Sequence, residues 1–298
     1  MKVTRLPDVE PRPRRVAVGT FDGVHLGHRE VIKGADTVLT FEPHPLAVIA
    51  PHALPRLLDS FAVKRDLIAG LGVEELVVIP FDEEFAQRSA EAFVDDVLVT
   101  ALCAEHVAVG ENFRFGRGAS GDADMLRART EFETRLVPLV EVEGETVSSS
   151  HIRGLVAAGD VAHAARFLGR LPMVEGTVVA GDRRGRELGM PTANIVPDDA
   201  IASPGHGVYA AGVEIDGERR AAAVSIGVRP TFGTGRSPLL ESHVLDWDGE
   251  LYDRVLRVAF VERLRGERRF DSAADLVAQM RRDVERVREI ASATVGPR

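Results

Sequence analysis

A single cysteine, Cys103, stands among 298 residues, so no intramolecular disulfide can form and a cysteine-built zinc site is not expected. Positive charge is also scarce. Against 46 Asp and Glu there are 37 Lys and Arg, a net charge of −9, and no long cationic block accompanies the short cluster Arg12, Arg14 and Arg15. A binder of phosphate backbones needs a basic face, so nucleic acid is not the expected partner. No apolar run approaches the ~18 residues that span a bilayer, and residues 1–15 lack the apolar core of a secretory signal. Repeats and low-complexity tracts are missing, which rules out a fibrous or collagen-like chain. What is present is an ordinary globular composition, 45% hydrophobic and 28% charged. The expectation is a cytoplasmic protein, monomeric or weakly homo-oligomeric, with small-molecule partners and no membrane.

At ~150 residues per domain the length accommodates two domains. The β-branched run Val16-Ala17-Val18 ends at Gly19, and after Phe21-Asp22-Gly23 a polar segment with helical spacing begins, so strand, turn and helix start are predicted. Apolar runs over 37–41, 76–81 and 106–109 alternate with helical spacing over 62–69 and 90–102. That alternation predicts an α/β domain whose parallel sheet is covered on both faces. It lasts until Gly169-Arg170-Leu171-Pro172. Beyond, short runs over 175–179, 207–213, 220–226, 239–245 and 254–260, separated by glycine turns, predict a small antiparallel β-barrel. Residues 271–293 then read as one helix, with Ser272 and Asp275 at capping-box spacing and an apolar stripe of Leu276, Met280, Val284, Val287 and Ala291 that packs on the barrel. The predicted domains are 1–170 and 173–298.

The segment from Gly19 to His28, GTFDGVHLGH, follows a strand and opens a helix, where backbone N–H groups meet an anion. His25 and His28, three apart, would face one side as donors to phosphate oxygens, and Gly27 between them would let a nucleotide approach the backbone. The plainer reading of two histidines in a glycine-rich turn is a solvated loop. Further along come TFEPHP at 40–45, GENFRFG at 110–116 and VSSSHIR at 147–153. Arg153 is an always-charged fork suited to phosphate, and Ser148, Ser149 and Ser150 are short hydroxyl donors that could equally cap a helix over 152–158.

These four motifs, in this order, resemble the bacterial bifunctional riboflavin kinase and FMN adenylyltransferase family, also called FAD synthetase. Its first module is a His-x-Gly-His nucleotidyltransferase with a Rossmann-like parallel sheet. The resemblance implies that His25 and His28 hold ATP phosphates, that Asn112 lies in the active site, and that Ser148 to Arg153 grips the nucleotide. It further implies that Gly19, Phe21, Asp22 and Gly27 line the same pocket. It implies attack of the FMN phosphate on the α-phosphorus of ATP with departure of diphosphate, a reaction that needs positioning and charge neutralisation. Members of the family carry a full helix and loop between the second histidine and the Thr-Phe-x-Pro-His-Pro strand. Here only residues 29–37 or so intervene, fewer than the ~10–12 of an ordinary crossover. A helix of about two turns beginning at His28, or an altered local topology, is therefore expected.

In the second half, residues 181–194 join a glycine-rich, arginine-bearing loop to a Pro-Thr-Ala-Asn segment, a pattern suited to magnesium-bound triphosphate. It is similar to the riboflavin kinase module of that family. The similarity implies Thr192 as a Mg2+ ligand assisted by Asn194, nucleotide contacts at Gly181, Arg186, Gly189 and Pro191, and Glu241 as the general base that takes the ribityl hydroxyl proton. Arg183, Arg184 and Arg186 read equally as a solvated turn, of which one or two touch phosphate. His243, on the strand face of Glu241, reads as structural, and Trp247 and Phe260 as core or rim aromatics. The substrates and products implied are ATP, riboflavin, FMN and FAD. Rival readings are a riboflavin kinase with an impaired first module and a non-catalytic flavin carrier. The joint occurrence of Thr192, Asn194 and Glu241 weighs against the carrier.

Overall fold

The computed structural model describes residues 1–181, 189–228 and 238–294. They form two compact units, one of Met1–Pro55 with Asp59–Ser149, the other of Arg56–Leu58 with the chain from Ser150 onward. The short piece at Arg56 joins the second unit because Leu57 exchanges two backbone hydrogen bonds of 2.8 Å with Ala200 and Ala202.

The first unit is built on a parallel sheet of β1 (Lys2–Arg5), β2 (Arg14–Val18), β3 (Thr37–Glu42), β4 (Glu75–Pro80), β5 (Ala104–Gly110) and β6 (Glu133–Val137), in the order β1-β4-β3-β2-β5-β6. Alternate residues of a strand face opposite sides, so Val16, Val18 and Leu39 enter one core while Ala17 and Val38 enter the other. The first core is closed by Phe93, Val94, Val97 and Leu98. They belong to a stretch expected as α-helix, but Phe93–Ala101 is wound as a π-helix, with Leu102 N–H donating to Val97 O at 2.9 Å. The second core is closed by Val31 and Ile32 of α1 (Leu26–Ile32) and by Ile68 of α3 (Phe61–Ala69), with α2 (Pro45–Ile49) between them in the chain.

The short crossover keeps a regular topology. β2 pairs in parallel with β3, Val16 opposite Thr37 and Val18 opposite Leu39, with α1 as the two-turn connection. The helix begins at Leu26, two residues before the expected His28, because the imidazole of His25 serves as its N-cap. Its far end is closed from outside. The Arg135 guanidinium on β6 donates to the carbonyls of Glu30, Val31 and Lys33 at 2.8 to 3.2 Å, satisfying acceptors that have no partner within the helix.

The first unit also carries an antiparallel pair, β7 (Glu141–Val142) with β8 (Glu145–Thr146). The second unit contains a closed antiparallel barrel of β9 (Met173–Val179), β10 (Ala193–Pro197), β11 (Gly207–Ile215), β12 (Glu218–Val228), β13 (Pro238–Val244) and β14 (Val255–Arg265), closing in the order β10-β13-β12-β11-β14-β9. Its interior holds Val178, Ile195, Tyr209, Val224, Leu240 and Phe260 among others, so the residues between them on each strand point outward. The predicted C-terminal helix is Ala273–Thr294. Val284, Val287 and Ile290 lay it on Ala210, Ala221, Ala223 and Leu245 of the outer barrel wall. A bidentate pair between Arg265 and the buried Asp283, at 2.7 to 3.2 Å, fixes it there. Val161, in the helix Val161–Leu168, joins the barrel core, which is why that helix clusters with the second unit. Phe260 is core, as expected, and Trp247 is a rim residue under the Arg220 guanidinium, 4.8 Å from its ring.

Candidate active sites

The first site grows from the carboxyl end of β2. β5 lies on one side of β2 and β3 on the other, so the chain reverses its winding here, and such switch points leave a crevice outside the strand ends. The loop that leaves β2 is tight. Phe21, Gly23 and Val24 all take positive φ, at 51°, 92° and 40°, a strain that a buried, β-branched Val24 adopts only when its surroundings impose it. A Cβ on Gly19 would sit 3.0 Å from the Phe21 ring, which in turn meets the His28 ring edge-on at 5.4 Å.

His25 and His28 come together as their spacing predicts. Their rings stack 3.6 Å apart at 15°, and a Cβ on Gly27 would lie 3.3 Å from the His25 ring. The Nδ1 atom of His25 accepts from the His28 backbone N–H at 3.3 Å, which leaves Nε2 as the ring's N–H donor. Burial holds the His28 pKa well below the ordinary histidine value, and the nearby positive charges of His25 and Lys64 press it further. Among the described residues, His28 Nδ1 is buried with no hydrogen-bond partner. The pair is thus a packed stack in which His28 is held mainly neutral, not a solvated turn.

Asp22 is buried, and its carbonyl accepts from Ser149 Oγ at 2.8 Å, so the serine motif is tied to the loop of the first motif. Ser149 opens the helix Ser149–Ala158, three residues ahead of the expected start, with Ser148 just before it. Asn112 follows β5, the strand beside β2, and its Oδ1 lies 3.4 Å from where a Gly110 Cβ would be. Ser150 and Arg153 fall in the second unit, where Arg153 Nη2 donates to Ser150 Oγ at 3.1 Å.

The second site lies on the outer wall of the barrel. Ile195 and Leu240 point inward, so Asn194 and Glu241 point outward, and the two are direct partners across β10 and β13. Ser225 on β12 is the next partner of Glu241, which extends a polar row across three strands. Cross-strand partners on one face stand within side-chain reach of each other. Glu241 is exposed. Thr192 immediately precedes β10. A Cβ on Gly181 would fall 2.1 Å from Asn194 Nδ2, so only glycine lets the preceding loop cross that amide. Gly189 takes a φ of 75°, and the carbonyl of Pro191 is held by His243 Nδ1 at 2.8 Å, the structural part expected of that histidine. The candidates Arg183, Arg184 and Arg186 lie outside the described residues.

The family described as FAD synthetase matches residues 8–151, and that described as riboflavin kinase matches residues 168–291. Proteins named bifunctional riboflavin kinase/FMN adenylyltransferase from Pseudomonas fluorescens and Escherichia coli strain K12 are 36% and 37% identical to this chain over 288 residues. Each match covers 92% of the chain, and 92% and 91% of the respective relative. The chain belongs to the bifunctional riboflavin kinase/FMN adenylyltransferase family. The family resemblance and the two-part fold expected from sequence are thereby borne out. A crystal structure described as a macrolide-efflux protein from Streptococcus pneumoniae shares the fold, with a TM-score of 0.88 and 30% identity over 97% of this chain and 99% of that one. Among the described residues no helix is long and apolar enough to cross a membrane.

Two residues that the motifs do not contain also belong to the architecture of the first site. Lys64 of α3 donates to the Thr20 carbonyl at 3.3 Å, and Arg135 closes α1. Lys64 carries a sequence signal, since it stands three residues after Phe61 and four before Ile68 on the stripe that α3 buries. Arg135 carries none, because only the tertiary fold brings β6 to the end of α1.

Proposed function

We propose that this flavokinase and FAD synthetase family member makes FMN from riboflavin and ATP in the barrel module, residues 173–298, and FAD from FMN and a second ATP in the α/β module, residues 1–170. The reading of the barrel site rests on one observation, the pairing of Asn194 with Glu241 across β10 and β13 beside Thr192. Glu241 accepts the proton of the terminal ribityl hydroxyl as its oxygen attacks the γ-phosphorus of ATP, and ADP leaves. A threonine hydroxyl and an amide carbonyl are hard oxygen donors of the kind Mg2+ accepts alongside water and phosphate, so Thr192 and Asn194 fit that ion. When bound with ATP it neutralises charge on the β- and γ-phosphates. Gly181, Gly189 and Pro191 shape the backbone that approaches the nucleotide, with Arg186 as a phosphate contact.

In the α/β module, His25 and His28 donate to phosphate oxygens of ATP from a fixed stack. Gly19, Phe21, Asp22 and Gly27 hold that stack in place. Ser148, Ser149, Ser150 and Arg153 grip the nucleotide, and Asn112 contributes from the end of β5. An oxygen of the FMN phosphate attacks the α-phosphorus, the bond from that phosphorus to the bridging oxygen breaks, and diphosphate leaves. The regular parallel crossover through α1 and its external cap by Arg135 support an intact module over the impaired one. The test is incubation of the purified chain with riboflavin and MgATP in an acidic-to-neutral buffer series, followed by chromatographic separation of the flavins. Both FMN and FAD are expected to accumulate. Absence of FMN defeats the assignment, and FMN without FAD returns the impaired-module reading.

A further inference from the structure

Lys64 is a buried ammonium that the nucleotidyltransferase motifs do not mention. Its side chain is 11% exposed, and it sits 3.9 Å from Glu42 Oε2 at the end of β3. It donates to the Thr20 carbonyl at 3.3 Å, which also accepts from Thr40 Oγ1 at 3.2 Å. Thr20 begins the loop that delivers His25 and His28, so one amine bridges the loop after β2 and the strand end that leads into residues 43–45. The titratable groups around it are Glu42 from β3, Asp22 from that loop and Asp59 from the turn ahead of α3, and its own charge acts on His28 of α1. The surroundings do not repay its burial. Desolvation outweighs the attraction of Glu42, Asp22 and Asp59 and leaves its pKa below the ordinary lysine value. A lysine kept in such a place is not explained as a stabilising ion pair.

We propose that Lys64 is a positioning residue of the adenylyl-transfer site: its ammonium holds the Thr20 carbonyl, and with it the histidine-bearing loop, against the end of β3 at Glu42. After burial and His25, the same charge also helps to hold the His28 pKa down. This inference rests on the reading of residues 19–28 as the nucleotide site, and the experiment separates the two.

Full-length Lys64→Met, Lys64→Gln, Lys64→Arg and His28→Ala are assayed for FAD formation from FMN and MgATP as kcat and KM across pH, with FMN formation from riboflavin as the control. Lys64→Met is expected to lower kcat for FAD formation by about tenfold, the scale of one lost charged hydrogen bond, while FMN formation stays within about twofold. In Lys64→Met and Lys64→Gln the limb of the pH profile governed by His28 moves to higher pH, because the cation that disfavours imidazolium is gone. Lys64→Arg retains both the rate and the limb. Wild-type FAD kinetics in Lys64→Met, or an Arg variant as slow as Met, overturns the proposal. Should Lys64→Met fail to fold, Lys64→Gln decides, since it keeps a donor to Thr20, and an unmoved limb there overturns the proposal as well. FAD formation that survives His28→Ala defeats the nucleotide-site reading itself, whatever the Lys64 variants do.

Discussion

Replacing Arg135 by alanine tests whether the two-turn helix α1 depends on a cap supplied from another strand. A helix of seven residues has few internal hydrogen bonds, and in isolation such a helix is unstable. Arg135 offers four contacts to three of its terminal carbonyls, at 3.1, 3.2, 2.8 and 2.8 Å. A charge-assisted bond nets roughly 1.5–3 kcal/mol when sheltered. Arg135 is an exposed residue, however, so the surface value of about 0.5–1 kcal/mol applies to each of the three acceptors. Removal is therefore expected to weaken the closed end of α1 by about 2 kcal/mol, a factor of roughly 30 in the local opening equilibrium. Hydrogen exchange at the amides of 29–33 reads that opening directly, and FAD formation falls with it as His25 and His28 lose their fixed stack. Lysine at 135 restores about half of the effect, being a point charge that serves one acceptor at a time. FMN formation is unchanged. Unaltered exchange in Arg135→Ala would refute the reasoning, because the short crossover would then be held by something other than this cap.

Acidification is a second probe. Burial, His25 and Lys64 lower the folded-state pKa of His28, so its effect on stability is absent above the unfolded pKa of ~6.5 and turns unfavourable as pH falls from there toward the folded value. Urea unfolding of the chain should show the α/β unit losing stability below about pH 6.5, with the slope flattened in His28→Gln; an equal slope in that variant contradicts the assignment. In the barrel unit, Asp283→Ala leaves the Arg265 guanidinium mostly buried and unpaired, and is expected to destabilise the docking of Ala273–Thr294 by roughly 3 kcal/mol. Asp283→Asn, which keeps an acceptor, should lose about half as much. Thermal inactivation of FMN formation, compared with FAD formation in the same sample, measures both.

Much of the fold could be read from alternation alone. The runs at 37–41 and 76–81 became β3 and β4 because their residues fill cores on both faces, and the barrel strands appeared where inward and outward residues alternate. The edge strands β1 and β6 are not legible in this way. KVTR buries only Thr4, and ETRLV buries only Val137, so neither carries a hydrophobic pattern. The π winding of Phe93–Ala101 also left no mark, since its apolar spacing fits an α-helix equally well. Within the candidate sites, the motifs single out the histidines, Asn194 and Glu241 because those residues sit in short contiguous strings. What strings cannot show is the direct partnership of Asn194 with Glu241, set by strand register, or the meeting of Lys64 with Thr20 across 44 residues of chain.

The central claim is that two separate sites, one centred on His28 and one on Glu241, perform the two steps. Glu241→Gln and His28→Ala are assayed separately for FMN formation from riboflavin and for FAD formation from supplied FMN, with flavins resolved by chromatography. Glu241→Gln should abolish the first and leave the second intact, and His28→Ala should do the reverse. Loss of both activities in each single variant, with the fold retained, would contradict the account.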